Sequence, residues 1–390
     1  MACDGAVPKA TQARKLDAGS AGFLSIRLWH RFSHIRSPNQ ARAARGSPLN
    51  DVTLLKSTEI AATKHSWIWF ALTSGLVLIF LVSLFLGRYP QAGLVRLEQL
   101  QENELARLLV FNVRLPRLLT ALLLGMVMAS AGTVFQMIFA NPLVEPGFLG
   151  VSQGAAFGAA LGIVYLGASS VAVQGLAIVF AFIGLGFSYL LAQRMHIGDW
   201  LLRLVLAGIA VSALFSAGVG IIKFMADPMR QLPEITFWML GGLASITWTK
   251  FLSILPACLV GLVIMFVFRW RLNLLALEET TAFSLGATPR RERLLLMTAA
   301  VLATAAIISV AGIVSWVGLI MPHIARGLFG SDTRRSLPAA MLLGGIFAIL
   351  CDDLARLLII GEIPLGILTS LLGALIFVIL MARRRQAVPA

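Results

Sequence analysis

Long apolar runs separated by short polar segments fill the chain from about residue 67 almost to its end. A run of about 20 apolar residues is long enough to cross a hydrocarbon core of about 30 Å as a helix. Because lipid offers no hydrogen-bond partner to backbone N–H and C=O groups, helices are the expected spanning element. The runs lie at 67–87, 116–138, 148–167, 171–193, 203–223, 249–268, 294–312, 315–328, 338–358 and 364–382. The pattern predicts an all-α, polytopic membrane protein with about ten transmembrane helices.

The third and eighth runs are short, and Gly and Pro interrupt them at NPLVEPG (141–147) and MPH (321–323). Non-helical backbone at membrane depth is tolerated only where it is buried in protein or lines a water-filled path. The interruptions therefore fit a passage through the protein. They fit equally a proline that only ends one helix and starts the next, and the residues alone leave both readings open.

The composition indicates a membrane protein, and the placement of its charges argues against a nucleic-acid partner. The chain has 390 residues, of which 58 % are hydrophobic and 13 % charged, with a mean hydropathy of +0.87. Soluble domains carry about 25 % charged residues. The net charge of +14 could suggest nucleic-acid binding. However, most of the positive charge lies in the N-terminal arm and in short loops, where the positive-inside rule places it. We therefore expect contact with membrane lipid and no nucleic-acid partner.

The distribution of Lys and Arg predicts the orientation. With ten alternating helices and both termini cytoplasmic, the inner loops and C-terminal tail hold 13 Lys/Arg, the outer segments 9 and the N-terminal arm 10. This excess on the inner side favours cytoplasmic N- and C-termini. Arg114 and Arg117 then face outside, at the start of the second helix. Arginine at a helix N-terminus opposes the helix dipole, so these two side chains call for an acidic partner or for contact with lipid phosphates.

Residues 1–65 differ from the rest of the chain, with 10 Lys/Arg against 4 Asp/Glu and no stretch that resembles a signal peptide. We expect a basic, disordered cytoplasmic extension, or a start codon assigned too far upstream. Residues 22–36 (GFLSIRLWHRFSHIR) could instead form a basic amphipathic helix on an anionic membrane surface. The membrane domain is expected at 66–385, followed by a tail at 386–390.

Two motifs that would bind a nucleotide or a catalytic zinc ion are missing from the sequence. There is no G-x-x-x-x-G-K-[ST] loop for nucleotide phosphates and no H-E-x-x-H. His323 is isolated in MPHIAR, and the three cysteines show no disulfide or metal spacing. We expect no catalytic residue, no metal site and no cofactor bound by this chain.

Several segments together resemble the FecCD-type permeases, the transmembrane subunits of ABC importers for iron–siderophores, haem and cobalamin, including the cobalamin importer permease. The resemblance covers about 66–385 in the family's order. It rests on RLPRLLTALLLGMVMASAGTVFQMIFANPLVEPGFLGVSQGAAFG (114–158), LVLAGIAVSALFSA (204–217), FWMLGGLASITW (237–248), LALEETTAFSLGA (275–287), GIVSWVGLIMPHIAR (312–326), CDDLAR (351–356) and GEIPLGILTSLLGALIF (361–377).

The resemblance implies a type II ABC importer permease in a bacterial inner membrane. It implies two ATPase subunits that use ATP and Mg, a second permease copy, most simply as a homodimer, and a periplasmic substrate-binding protein. In the family, arginines of R-L-P-R and D-x-x-x-R contact acidic residues of that binding protein. The matching positions are Arg114, Arg117 and Arg356. Asp352, one helical turn before Arg356, is expected to hold it in position, and a purely internal pair is the alternative.

A coupling loop at about 273–292 is the implied contact with the ATPase, through Glu279, Ala282, Leu285 and Gly286. This chain departs from the family pattern at Glu278 and at Phe283, where many relatives have a polar or basic residue. An ordinary polar loop is the alternative reading.

The first interrupted region, around NPLVEPG, carries the signature residues Gln136, Asn141, Pro142, Pro146 and Gly150. We expect its buried amides to tie broken backbone across the helix gap rather than to contact the ligand. The family's cytoplasmic gate corresponds loosely to Leu201 and Leu202, where an apolar constriction could gate by dewetting.

The residues and the resemblance together predict a permease that imports a ferric siderophore or related iron chelate. Haem, cobalamin or an oxyanion such as molybdate could be carried by the same architecture. An ion-coupled transporter should show acidic residues or histidines near the membrane midplane. Here Asp352 and Asp353 lie near a helix end. A membrane enzyme would need a catalytic cluster that the sequence lacks.

Overall fold

The protein is described by a computed structural model that covers residues 48–87, 93–94, 102–359 and 361–384. The chain divides into two units between Lys64 and His65. All features considered below lie in the second unit. The expectations for residues 1–47 and for the tail at 386–390 lie outside the described residues.

Helices make up almost all of the described chain. In order they are α1 Pro48–Phe85, α2 Glu104–Leu108, α3 Leu115–Ile138, α4 Val151–Tyr165, α5 Ser170–Arg194, α6 Trp200–Met225, α7 Gln231–Leu240, α8 Trp248–Val267, α9 Arg271–Leu275, α10 Glu279–Ser284, α11 Pro289–Ala311, α12 Val317–Phe329, α13 Thr333–Leu357 and α14 Leu365–Arg384. A π-helix occupies Leu109–Arg114, and 3₁₀ turns occupy Pro146–Leu149 and Phe268–Trp270. Two-residue strands, β1 Leu86–Gly87 and β2 Gly93–Leu94, pair antiparallel.

The predicted all-α membrane architecture is confirmed. Among the described residues, eight helices are long and apolar enough to cross a membrane. The third and eighth apolar runs form the shorter helices α4 and α12, of 15 and 13 residues, as their interruptions predict. These ten helices match the ten runs in order. The short helix α7 and the β1–β2 ladder were not predicted.

The most buried helices are α3 and α11. In their most apolar windows, 83 % of the α3 span and 78 % of the α11 span are buried, against 11 % for the spanning part of α1. Since lipid is as apolar as a core, small residues rather than hydrophobicity decide which helices meet closely. Gly125 of α3 faces Gly344 of α13, and a Cβ on either would collide with the other's backbone. This contact brings α13, which carries Asp352 and Arg356, against the helix that carries Arg117.

Pro116 explains the π-helix that precedes α3. A proline has no N–H to donate, so the regular ladder cannot continue through it. The N–H of Leu115 bonds instead to the carbonyl of Val110, five residues earlier. The wider turn offsets Arg114 from the α3 axis, next to the end of α1.

We name the two ends of the bundle by their residues. The arginine end contains Arg114, Arg117 and Arg356, together with the α7–α8 and α13–α14 connections. The loop end contains the α5–α6 connection, α9, α10 and the α12–α13 connection.

Candidate functional site

Arg117 lies at the centre of a buried charge cluster at the arginine end. Its Nε donates to both oxygens of Asp352, at 2.9 and 3.1 Å, and its Nη2 lies 2.9 Å from Oδ1. Its Nη1 donates to both oxygens of Glu362, each at 3.0 Å. The planar fork of arginine allows this double bidentate pairing, which a lysine could not reproduce. Arg117 is only 8 % exposed, and Asp352 and Glu362 balance its charge.

Arg356 occupies the neighbouring position on α13. It pairs with Asp353 one turn earlier, and its Nε lies 3.6 Å from Oδ2 of Asp352. Its Nη2 donates to Oγ and to the carbonyl of Ser83, at 2.8 and 3.0 Å, and its Nη1 to the carbonyl of Leu86 at 3.1 Å. The Ser83 hydroxyl in turn donates to Asp353. Arg356 therefore ties α13 to the end of α1.

Arg114 completes the cluster from the π-helix. Its Nη1 donates to the carbonyl of Phe85 at 3.2 Å. A Cβ at Gly87 would overlap the Arg114 guanidinium, so a side chain there would displace the guanidinium from this position. The three arginines and the three carboxylates of Asp352, Asp353 and Glu362 sum to zero charge.

The structure thus brings together the four residues proposed for partner docking, but it places Arg117 and Arg356 in internal pairs. Asp352 holds Arg117 more closely than Arg356, the residue it was expected to position. Sequence reasoning missed Ser83, Asp353 and Glu362. The signal for Glu362 was available, since it is an acidic residue in the otherwise apolar segment between two predicted spans.

A cavity of about 510 Å³ opens beside the cluster. Arg117 and Glu362 lie in its wall together with two further charged side chains, Lys250 and Glu234. The Lys250 ammonium donates to the Ser245 hydroxyl at 3.1 Å. The remaining wall comes mainly from the α4–α5 connection, α7 and the segments that follow α7 and α11. The cavity offers two cations and two carboxylates to an entering group.

The interrupted helices are joined by side-chain bonds to backbone. Nε2 of Gln136 donates to the carbonyls of Gly318 and Leu319 in the first turn of α12, each at 3.2 Å. Its Oε1 accepts from Nη2 of Arg326 at 2.6 Å. Buried backbone groups at a broken helix need partners because lipid supplies none. Gln136 thereby links α3 to both ends of α12.

The NPLVEPG segment folds as a short turn and a 3₁₀ helix between α3 and α4. Asn141 Oδ1 accepts from the Leu143 N–H at 2.9 Å, and Pro142 lies within this turn. Pro146 begins the 3₁₀ turn, and Gly150, at φ 77°, is the left-handed residue from which α4 begins. Glu145 accepts from the Trp316 N–H at 3.2 Å and so connects this segment to the start of α12.

The coupling-loop segment forms α9, α10 and the turn after them at the loop end. Ala282 is fully buried and fixes α10 to the body, whereas Phe283 and Leu285 are 70 % and 58 % exposed. Gly286 ends α10 at φ 81°, and its N–H bonds to the Phe283 carbonyl at 2.9 Å. Glu279 is exposed in the first turn. The structure therefore presents two apolar side chains, rather than Ala282, to the surroundings.

Two groups of polar contacts, around Arg271 and around Asp332, lie at this segment. Nη1 of Arg271 pairs with Glu292 at 2.8 Å and donates to the Gly286 carbonyl at 3.2 Å. Asp332 accepts from the Asn273 amide at 2.7 Å and from the Arg334 N–H at 2.9 Å. The Arg334 N–H is the main reason that the pKa of Asp332 lies below its usual value. Sequence reasoning missed the Arg271–Glu292 and Asn273–Asp332 pairs because their residues are 21 and 59 positions apart.

The proposed gate residues lie in the first turn of α6 at the loop end. Asp199 caps this helix by accepting from the Leu202 N–H at 3.0 Å. Leu202 is 46 % exposed and Leu201 is half-buried. Both are available to contact lipid or another chain.

Comparison with known proteins gives consistent matches. The sequence pattern of the FecCD transport family matches residues 75–383. The molybdate import system permease protein of Haemophilus influenzae is 37 % identical over 82 % of this chain and 96 % of its own length. The hemin transport system permease protein of Yersinia pestis is 37 % identical over 80 % and 96 %. The Fe(3+) dicitrate transport system permease protein of Escherichia coli is 35 % identical over 83 % and 100 %.

A solved structure agrees with these relatives. It is described as a metal-chelate type ABC transporter in an inward-facing conformation, and it is 37 % identical to this chain with a TM-score of 0.75. The alignment covers 82 % of this chain and 99 % of the solved one. Fold, segment order and sequence therefore agree over the whole membrane unit, and the chain belongs to the FecCD transport family of ABC importer permeases.

Proposed function

We propose that the chain is the permease subunit of an ATP-driven importer that carries a ferric siderophore or a related iron chelate from the periplasm to the cytoplasm. The observation that carries this proposal is the family match over residues 75–383. Relatives named for iron chelatin and for Fe(3+) dicitrate support an iron chelate. The chain carries no P-loop, so separate ATPase subunits bind ATP and Mg and hydrolyse the nucleotide.

The arginine end is the proposed docking face for a periplasmic substrate-binding protein. Arg114, Arg117, Arg356 and Asp352 lie together there, and arginine pairs well with carboxylates of a partner. Because Arg117 and Arg356 already have internal partners, docking carboxylates must share or replace those partners. The Lys/Arg distribution supports an orientation with this end outside and both termini cytoplasmic in a bacterial inner membrane.

The loop end is the proposed contact with two ATPase subunits. Leu285 and Phe283 supply exposed apolar surface, Gly286 sets the turn and Glu279 adds a charge at the rim. Ala282 contributes by seating α10 on the body. Closure of the ATPases would push on α10, and Arg271 and Glu292 would transmit the movement to α11.

The transport path is proposed to lie between this chain and a second copy of it. Leu201 and Leu202 would close the path at the cytoplasmic side as an apolar constriction. Gln136, Asn141, Pro142, Pro146 and Gly150 are scaffold residues in this scheme. Gln136 bonds to the backbone of α12, and the other four shape the connection between α3 and α4.

Uptake by cells tests the substrate. Host cells with and without this gene are supplied with radiolabelled iron as individual siderophore chelates. Loss of uptake of one chelate on deletion, restored by the gene on a plasmid, supports an iron-chelate importer. Unchanged uptake of every chelate contradicts it, and the same cells are then tested with haem, cobalamin and molybdate. Relatives named for molybdate and hemin transport make these the relevant alternatives.

A further inference from the structure

Arg117 has two counter-ions that differ in their surroundings. The side chain of Asp352 is 1 % exposed, and a second cation, Arg356, lies 3.6 Å away. The side chain of Glu362 is 38 % exposed. Within the described part of the chain, Arg117 is the one cation paired with Glu362. One counter-ion is therefore fixed inside the protein, and the other is at the surface.

The backbone at Glu362 is also unusual. Its φ is 51°, in the left-handed region that residues with a Cβ rarely adopt. Such a conformation persists only where surrounding contacts maintain it. The Glu362 side chain makes two bonds to Arg117, and the N–H of the next residue, Ile363, bonds to the Ala355 carbonyl at 3.0 Å. Side-chain and backbone contacts together hold this segment.

The cavity at the arginine end gives access to this pair. Arg117 and Glu362 both lie in its wall, and a volume of about 510 Å³ accommodates several side chains. Lys250, in the same wall, contributes a second positive charge, and its ammonium group donates to the Ser245 hydroxyl. An acidic side chain that entered from outside would meet Lys250 and the Nη1 edge of Arg117.

We propose that Glu362 is an exchangeable internal ligand of Arg117, and that an acidic side chain of the docking binding protein enters the cavity and replaces it. Asp352 holds the Nε edge of Arg117 throughout, so the guanidinium stays in place while its Nη1 partner changes. This inference rests on the proposed function, because it identifies how the docking face receives its partner.

The exchange is energetically balanced. Arg117 keeps two carboxylate partners before and after docking, so it never becomes an unpaired buried charge, which would be costly. The bond that breaks is a part-exposed ion pair, which contributes little to stability. The bond that forms is of the same chemical kind. Docking is then reversible, as a repeated delivery cycle requires, and Glu362 returns to Arg117 when the partner leaves.

Substitution of Glu362, the exchangeable internal ligand, tests this proposal. The permease is purified with its ATPase subunits in lipid nanodiscs, and the dissociation constant of the substrate-binding protein of the same transport system is measured by surface plasmon resonance. Glu362→Gln should bind about two- to fivefold more tightly than the wild type, the range expected for loss of a part-exposed ion pair. Glu362→Gly should show the same gain, because glycine accepts the positive φ and preserves the fold.

Glu234→Gln is the matched control, since it removes the same charge from the same cavity wall. Loss of a negative charge at Glu362 or at Glu234 also strengthens the long-range attraction of the cavity for an acidic partner. This long-range attraction is screened at 0.5 M salt, where the Debye length is about 4 Å. The gain of the Glu362 variants should persist there, and the gain of Glu234→Gln should vanish. Equal or weaker binding by both Glu362 variants overturns the exchange while docking itself stands. Failure of the wild type to bind the binding protein overturns the proposed docking and the exchange together.

Discussion

Asp352 is the side chain on which the charge cluster depends, because it contacts both Arg117 and Arg356 while fully buried. Asp352→Asn leaves two arginines facing a neutral amide. Removal of one partner from a buried ion pair costs about 3–5 kcal/mol. We expect a clear drop in the thermal midpoint of the purified permease in detergent.

Glu234→Gln is the control for this loss. It removes the same charge at the same end from an exposed position, where substitutions usually change stability by less than about 0.5 kcal/mol. Equal midpoints for the two variants would show that the cluster contributes nothing to the stability of the bundle.

Asp332 makes stability depend on pH at the loop end. Its pKa is lowered chiefly by the Arg334 N–H and further by the Asn273 amide. A lowered pKa in the folded state gives stability that is present above the ordinary aspartate pKa of about 3.9 and is lost as pH falls through the lower folded value. Asp332→Asn should therefore lower the thermal midpoint at pH 7, and its difference from the wild type should shrink from about pH 5 towards pH 3. A difference that stays constant with pH would contradict this role.

At the scale of elements, α10 is the part of the loop end that presents apolar side chains. Full burial of a leucine side chain contributes about 1.5–3 kcal/mol, so loss of Leu285 from an interface should weaken assembly with the ATPase by at least about tenfold. Leu285→Asp should therefore reduce the ATPase that copurifies with the permease and the transport it supports.

Thr280→Asp adds the same charge to the same short helix, at its polar and exposed start. It should assemble normally. If Thr280→Asp lost the ATPase as well, the effect would be one of charge rather than of an apolar contact. If Leu285→Asp assembled like the wild type, α10 would not be the coupling element.

The positions of the membrane helices were predictable from the sequence, because a single physical requirement decides them. The need to satisfy backbone hydrogen bonds in lipid makes each apolar run a helix, which is why α3, α11 and the short α4 and α12 lie where the pattern places them. The pairing of helices was not predictable. Gly125 and Gly344 bring α3 and α13 together, yet nothing in the sequence marks these two among 35 glycines as partners.

The charge cluster shows the same limit. The resemblance directed attention to Arg114, Arg117 and Arg356, but their partners are set by tertiary contact. Arg117 and Glu362 are 245 residues apart in the chain, and Glu362 lies in a short connection where its φ is positive. No local periodicity or propensity reports a contact of this kind.

In the molecule as a whole, charged and polar contacts are concentrated at the two ends of the helix bundle, and few charges lie between them. The arginine end holds a neutral cluster of six charged groups beside a cavity, and the loop end holds a short helix tied to α11 by Arg271 and Glu292. This division suits a permease that receives its cargo at one end and its driving force at the other.

Reconstituted transport is the most direct test of ATP-driven import by this permease. The permease and its ATPase are placed in liposomes, the binding protein and a radiolabelled ferric chelate are added outside, and ATP is enclosed. ATP-driven import should give chelate accumulation that requires ATP hydrolysis and survives ionophores that collapse ion gradients. Accumulation that continues without ATP and stops with the ionophore would contradict it and identify an ion-coupled transporter.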